Sequence, residues 1–556
     1  MRSMNRREFV KVSGAAAGAS LLASCGLRFA GSSSQTVRPN LLFVYADQWR
    51  RMAMSHYRGA AGYNMGDPVN TPNLDRFAKE GMIFNSAVAC SPVCSPNRAT
   101  LMTGLYPATH GLVLNEGYER FTTDTPTIAH VLSAHGYETG HIGKWHMAMT
   151  LGYQEGVHKR GFAYWYGAPG CNHAHFDAAL HHHPDEVDGQ EQFTRGGEPL
   201  PNPFIPSFHY KNMSLRIEES WNPNHLTRKA LDYLKNAHGV RDTRKPFALY
   251  LSFNPPHTIH GWKPKDGNIG SWHIAGKRDG PGHDEYWGNN SDHPPDYDYR
   301  APIEFEKRYR TGGNWNDPVR SNLPMRPNVP QDHYSRTKCL PGYFGAVDAI
   351  DVLFGKVMGY LDKTPDPRCP EYRLRDTTLV VVTADHGEMM GSHGLMTKDV
   401  PLEESIGVPL MIRWPGVVDA GESQDIVFNS VHVVPTILGL LGLGFETRVD
   451  GTDYSGAILG EPDAEKPETA FLGLRNWRAV RTQRYLYVAR SVGSERRNVV
   501  GTLYDMQEDP FQMRPIRENR RHQDIMRDFH SRLCEHLRET EDEIHIHMLL
   551  DSKSVR

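Results

Sequence analysis

Leu41-Leu42-Phe43-Val44-Tyr45 is an unbroken apolar run, and Ala46-Asp47-Gln48 follows it at once. Consecutive apolar residues without polar alternation are the pattern of a strand buried on both faces, as in a parallel sheet covered by helices. Two further stretches repeat it. Residues 247–253 run into Asn254-Pro255-Pro256-His257, and residues 378–383 run into Ala384-Asp385-His386-Gly387. Helical signals lie between them. Thr71-Pro72-Asn73-Leu74-Asp75 puts a proline in a first turn, residues 127–133 close on Gly136-Tyr137, and residues 343–361 have helical periodicity. Strands alternating with helices predict an α/β domain with a largely parallel sheet. The polar residues that end each strand then sit where open α/β sheets hold their ligands.

Outward from this frame, residues 152–212 and 260–331 break the rhythm. Both are dense in glycine, proline, histidine and aromatics and read as long surface insertions, which tend to be functional. Strand-like runs at 478–481 and 485–489, then Leu503-Tyr504-Asp505, precede a charged helix over about 519–539. The expectation is a larger unit over 39–464 and a smaller C-terminal α+β subdomain over 465–556, carrying a short antiparallel sheet.

The first 24 residues read as an address. Arg6-Arg7, Phe9 and Lys11 precede an Ala/Gly-rich stretch to Ala23, too short to span a bilayer but suited to a signal peptide. The arginine pair resembles a twin-arginine export signal. Leu22-Ala23-Ser24-Cys25 resembles a lipobox, which implies a lipid on Cys25. Residues 25–38, with Gly31-Ser32-Ser33-Ser34-Gln35, read as a tether. The expected location is periplasmic or at the cell surface, as a membrane-anchored lipoprotein. A Sec signal with an incidental Cys25 is the other reading.

Of 556 residues, 62 are Lys or Arg and 65 are Asp or Glu, a net charge of −3. That balance lacks the basic footprint of a nucleic-acid binder. The seven cysteines, Cys25, Cys90, Cys94, Cys171, Cys339, Cys369 and Cys534, contain no CxxC pair, and so few in so long a chain do not suggest a disulfide framework.

The stretch that carries chemistry is Cys94-Ser95-Pro96-Asn97-Arg98-Ala99-Thr100-Leu101-Met102-Thr103-Gly104. Its Cys-x-Pro-x-Arg core with Thr-Gly downstream resembles the maturation signature of type I sulfatases, the formylglycine-dependent members of the alkaline-phosphatase-like superfamily. The resemblance implies a large mixed, mostly parallel sheet flanked by helices, and it implies that Cys94 is oxidised to formylglycine (3-oxoalanine) by a formylglycine-generating or anaerobic sulfatase-maturating enzyme. Cys90-Ser91-Pro92 is a decoy, because Cys94 stands where the signature needs arginine. Asp47-Gln48 and Asp385-His386 are similar to the family's two metal pairs. With one atom from residue 94, these oxygen and nitrogen ligands suit one hard divalent cation, Ca²⁺ before Mg²⁺. Gly143-Lys144-Trp145-His146 resembles the family block whose lysine steadies the aldehyde hydrate and whose histidine takes its proton. Pro256-His257 resembles the leaving-group histidine, and Gly394-Leu395-Met396-Thr397-Lys398 the segment with the sulfate-binding lysine.

The implied reaction is hydrolysis of sulfate esters, on sulfated carbohydrate, through a covalent sulfo-enzyme. A cation, Arg98 and Lys398 are the charges such a reaction needs where negative charge grows. His257, with Lys398, would protonate the leaving sugar oxygen. Two other readings stay open: a phosphonate or phosphodiester hydrolase of the same superfamily, and an inactive surface lipoprotein. His173, His175 and His181-His182-His183 form a tract read as a polar loop near the site mouth, with metal binding as the alternative. Trp262, Trp272, Tyr286 and Trp287 are sugar-stacking or packing residues. The sugar, the position of its sulfate and exo or endo action are not readable from these loops.

Overall fold

A computed structural model describes residues 37–542, apart from 59–65, 148–159, 169–193, 196–197, 200–221, 258–300, 302, 313–318, 334–338, 493–497 and 517–521. Residues 1–36, the His173–His183 tract, and Trp262, Trp272, Tyr286 and Trp287 lie outside the described residues, as do Cys25 and Cys171.

The main sheet has eight strands: β1 (Asn40–Asp47), β2 (Met82–Phe84), β3 (Glu138–Lys144), β4 (Tyr164–Ala168), β5 (Phe247–Pro256), β6 (Thr378–Ala384), β7 (Leu410–Arg413) and β8 (Glu422–Gln424). Their order is β8-β2-β7-β6-β1-β5-β3-β4. Five strands in succession, from β6 to β4, pair in parallel, and only β7 runs against its neighbours. The mixed, mostly parallel sheet is therefore borne out. Every residue of β1, β5 and β6 is buried, as expected of strands covered on both faces.

Helices α1 (Pro72–Glu80), α3 (Asn222–Lys235) and α4 (Leu340–Lys363) pack together, while α2 (Cys94–Thr103) packs against the helical segment Val433–Leu440. The first turn of α1 is not capped by its own Thr71. Instead Asp351, buried in α4, accepts the N–H groups of Asn73 and Leu74 at 3.2 and 2.8 Å, so one helix caps another.

The second sheet is an antiparallel meander, β9 (Thr469–Leu474), β10 (Trp477–Thr482), β11 (Tyr485–Val492) and β12 (Asn498–Asp505). Alternate residues face opposite ways. Val480, Tyr487 and Leu503 pack on Met526, Phe529 and Leu533 of α5 (Gln523–Glu539). Leu472, Trp477 and Ala479 pack instead on Val88, Val93 and Ile406 of the larger unit. The second sheet is thus clamped between its own helix and the loop that leads into Cys94.

The segment 152–212 is not wholly a surface insertion, since it supplies β4 at the sheet edge. Tyr164, Trp165 and Tyr166 are buried there, and that burial is the physical reason the segment belongs in part to the core. Among the described residues no helix is long and apolar enough to cross a membrane. The five described cysteines are all buried.

Candidate active site

Parallel pairing brings the carboxyl ends of β3, β5, β1 and β6 to one edge. Asp47 ends β1, and the register that pairs Ala46 with Ala384 sets it beside Asp385 and His386, which follow β6. Lys144 ends β3 and His257 follows β5. Cys94 opens α2 after an extended Val93, so residue 94 sits at a helix N-terminus, where dipole and free N–H groups favour negative charge. One ligand atom each from Asp47, Cys94, Asp385 and His386 lies within 4.8 Å of all the others, and all four residues are buried. His386 Nε2 is 3.2 Å from Cys94 Sγ, 3.5 Å from Asp47 Oδ1 and 3.7 Å from Asp385 Oδ1. Cys94 Sγ is 3.6 Å from Asp47 Oδ1.

Two glycines permit this closeness. A Cβ on Gly143, whose φ is +108°, would meet the Ser252 carbonyl oxygen of β5 at 1.8 Å. A Cβ on Gly387 would meet the Glu404 carbonyl oxygen at 2.0 Å. Both backbones therefore pass where no side chain fits.

Cations surround the group. Arg98, one turn into α2, donates from Nε to Asp385 at 2.7 Å and from Nη1 to Ser252 Oγ and the Lys144 carbonyl, both at 2.9 Å. Its guanidinium lies 4.9 Å from the Tyr45 ring centre. Lys144 pairs with Asp47. Lys398 Nζ is 3.6 Å from Cys94 Sγ and donates to His257 Nε2 at 2.9 Å and Gln48 Oε1 at 2.5 Å. Gln48 also donates its backbone N–H to Asp385 Oδ1 at 3.0 Å. The sequence-derived residues Asp47, Gln48, Cys94, Arg98, Lys144, His257, Asp385, His386 and Lys398 thus form one linked constellation. His146 is close enough to feel Lys144, Arg98, Asp47 and Lys398. Its ring lies 6.2 Å from that of Tyr118, makes no hydrogen bond to Cys94, and leaves Nδ1 without a partner among the described residues.

These charges set the protonation states. Burial opposes ionisation of Asp47, but Lys144, then Arg98, outweigh it and hold the carboxyl well below the usual range. Burial, seconded by Asp47, pushes the Cys94 thiol up to about 11. Burial and then the Lys144 ammonium hold His146 well below the usual imidazole value, which favours its neutral form. Lys398 is raised despite its burial, because Cys94 and Asp47 face it.

Sequence reading missed several contributors. Asn97 donates to the Asp385 carbonyl at 2.5 Å, and Asn115 Oδ1 accepts the Ser95 N–H at 2.9 Å. Glu388 is buried against the Gln48 amide and accepts the N–H groups of Met390 and Thr397 at 2.9 and 2.7 Å. The signal for Glu388 was its place three residues after Asp385, on a segment already expected to line the site. Cys90 lies instead against Asn97 and Thr100. A separate cavity of about 510 Å³ lies at the seam of the two units, with Arg50, Arg51, Arg326, Glu403, Glu404 and Arg481 among its walls. There Arg51 and Arg481 pair with Glu403, Arg326 with Glu404, and Arg50 with Asp67.

A place that gathers three cations and a cation-binding group around a helix N-terminus holds an anion and stabilises more negative charge on it. Fold and site together define a hydrolase of anionic esters. Residues 39–443 match the sulfatase family, and residues 391–539 match the C-terminal region of N-sulphoglucosamine sulphohydrolase. The chain belongs to the sulfatase family and is a sulfuric ester hydrolase. It is 26% identical over 541 residues to an endo-4-O-sulfatase of Bacteroides thetaiotaomicron, covering 88% of this chain and 90% of that protein. To an ulvan-active sulfatase of Formosa agariphila it is 26% identical over 526 residues, covering 92% and 83%. Among solved structures, one from B. thetaiotaomicron described with the metabolism of multiple glycosaminoglycans superposes with a TM-score of 0.69 at 23% identity, covering 93% and 99%. Another, in complex with D-glucosamine-2-N,6-O-disulfate, gives 0.60 at 20% identity, covering 91% and 98%.

Proposed function

We propose that this sulfatase acts on sulfated carbohydrate, with residue 94 as formylglycine and one Ca²⁺ held by Asp47, Gln48, residue 94, Asp385 and His386. The convergence of Cys94 with Asp47, Asp385 and His386 carries the reading. As a thiol, residue 94 is a poor nucleophile here, since a group titrating at about 11 is scarcely ionised near neutrality. A hydrated aldehyde at that position supplies a hydroxyl nucleophile and a second hydroxyl whose deprotonation expels sulfate. The pocket fits such a group, because Lys398 Nζ stands 3.6 Å from Cys94 Sγ and the buried Arg98 Nη2 has no hydrogen-bond partner among the described residues.

The chemistry of the donor set supports calcium: oxygens of Asp47, Gln48 and Asp385, one imidazole nitrogen of His386 and one atom of residue 94 make an oxygen-rich set that suits Ca²⁺ before Mg²⁺. When bound, the cation supplies charge that stabilises a sulfuryl oxygen. Lys398 supplies positive charge beside residue 94, and Arg98 fixes Asp385. Lys144 compensates Asp47, and burial, seconded by Lys144, favours neutral His146. With residue 94 oxidised and hydrated, His146 would be the residue to take a proton from its hydroxyl. The Lys398–His257 pair hands a proton to the leaving oxygen, which matters most for a sugar alkoxide.

A carbohydrate substrate is supported by the relatives, whose names include an endo-4-O-sulfatase, an ulvan-active sulfatase and an N-acetylglucosamine-6-O-sulfatase. We further propose export by the twin-arginine route with a lipid on Cys25, after oxidation of Cys94 in the cytoplasm by a maturating enzyme. A peptide mass spectrum tests the centre: the peptide containing Arg98 should carry 3-oxoalanine at position 94, and an unmodified cysteine in active protein would overturn the mechanism. A screen of sulfated oligosaccharides against the matured enzyme identifies the sugar. Fractionation of a Cys25→Ala variant, which should become soluble, tests the anchor.

A further inference from the structure

Lys398 stands between two residues in the left-handed region, Thr397 at φ 65° and Asp399 at φ 79°. Neither is glycine, so this arch is not a shape the chain adopts unaided, and surrounding contacts must hold it. One hold comes from the same segment. Glu388 accepts the Thr397 N–H at 2.7 Å, and the Met389 N–H donates to the Thr397 carbonyl at 2.7 Å.

The other hold comes from the second sheet. Trp477, at the start of β10, donates its indole N–H to the Asp399 carbonyl at 3.0 Å. Arg475, in the turn before it, has Nε 3.7 Å from the Asp399 carboxylate. Trp477 is buried, and its face of β10 packs on Val93 and Ile406. Arg481 lies four residues further along that strand and so shares the face. It pairs with Glu403 at 2.7 Å. The strand therefore grips residues 399 and 403 at once, and the first grip is one residue from Lys398.

We propose that Trp477 is a positioning residue for sulfate-ester hydrolysis: its indole N–H, with Arg475, sets the arch that carries Lys398. On this view the second sheet is a working part of the catalytic centre. The inference rests on the reading of Lys398 given above. Without the indole donor the Asp399 peptide is free to leave the left-handed region, and the turn of backbone moves Lys398 Nζ away from residue 94 and His257.

A double-mutant cycle separates this role from general support. The matured, metal-loaded enzyme would be compared as wild type, Trp477→Phe, Lys398→Ala and the double variant. The readout is kcat/KM on 4-nitrophenyl sulfate, whose good leaving group keeps the lysine variant measurable. Trp477→Phe should lose about tenfold in kcat/KM, with oxidised residue 94 and bound calcium unchanged. In the Lys398→Ala background the same substitution should cost less than twofold. An equal loss in both backgrounds, or none in the wild type, overturns the proposal. Should Trp477→Phe not fold, Arg475→Gln takes its place, with a loss of about threefold that also vanishes without Lys398. Full activity in Lys398→Ala alone would instead overturn the role given to Lys398, so the two failures are told apart.

Discussion

Replacing Glu403 tests how the two units are joined. Its carboxylate is buried between Arg51 Nη2 and Arg481 Nε, each at 2.7 Å, and its own N–H donates to Gln512 at 2.7 Å. Burial works against its charge, but Arg481 and then Arg51 overcome it and bring the carboxyl to about 2, from an ordinary 4.5. A depressed folded value means stability that is present above 4.5 and is lost as pH falls from there towards 2. About 2.5 pH units at about 1.36 kcal/mol each give roughly 3 kcal/mol. Glu403→Gln should therefore destabilise the protein by about 3 kcal/mol at pH 7, and Glu403→Ala by roughly 3–5 kcal/mol, because two buried guanidiniums are left facing each other. Urea unfolding followed by tryptophan fluorescence reads this, with Trp477 in the seam as a reporter. The gap between wild type and Glu403→Gln should narrow as pH drops below about 4.5. A gap below about 0.5 kcal/mol at pH 7, or one that ignores pH, would refute the account, since that is the size of a substitution touching nothing buried.

Other outcomes follow from the site. Cys94→Ala should lose turnover by several orders of magnitude while thermal unfolding stays near wild type, and Cys94→Ser should be nearly as inactive because a bare hydroxyl cannot expel sulfate; activity retained in either is the adverse result. Chelation should lower activity and unfolding temperature together, because an ion that binds only the folded chain stabilises it by about 2.7 kcal/mol at a hundred times its Kd. Added Ca²⁺ should restore both, and recovery with Mg²⁺ alone would contradict the calcium assignment. His257→Ala should slow hydrolysis of a sulfated sugar by roughly 10²–10⁴-fold, the range of a general acid, and 4-nitrophenyl sulfate by less than tenfold. Equal losses on the two substrates would remove the proton-donor role.

What could be read from sequence divides along physical lines. β1, β5 and β6 were legible because apolar runs buried on both faces need no partner to be recognised. β4 was not, since Tyr164–Ala168 is a short aromatic stretch inside a tract rich in glycine and histidine. β2 and β8, at three residues each, are too short to show any period. In the site, Asp47, Cys94, Arg98, Asp385 and His386 were legible because each sits in a motif. Glu388, Glu403 and Trp477 were not. An acidic residue in a polar stretch reads as solvated surface, and a tryptophan opening a strand reads as core. Only the tertiary partners, Gln48 for Glu388, two arginines for Glu403 and a carbonyl for Trp477, give them their roles.

Glu388 also completes the charge balance of the centre. Arg98, Lys144 and Lys398 bring three positive charges within contact of the constellation, and Asp47, Asp385 and Glu388 bring three negative ones. Counted formally, the metal-free centre is neutral, so the chain can bury it without a large desolvation penalty. A divalent ion then leaves an excess of positive charge at the carboxyl edge of the sheet, beside residue 94 and the α2 N-terminus. That excess has no protein counterion among these groups, and a sulfate ester supplies one. As the ester breaks, negative charge moves onto the leaving oxygen and the group being transferred, into a field already in place. Glu388→Gln should therefore weaken Ca²⁺ binding, read by titration, because it leaves the metal-free centre one charge positive and loosens Gln48, and it should lower kcat/KM by loosening the Lys398 arch; unchanged calcium affinity would contradict the balance. The centre's preference for anionic esters thus comes from loading an otherwise balanced cluster, with Glu388 as the carboxylate that makes the balance.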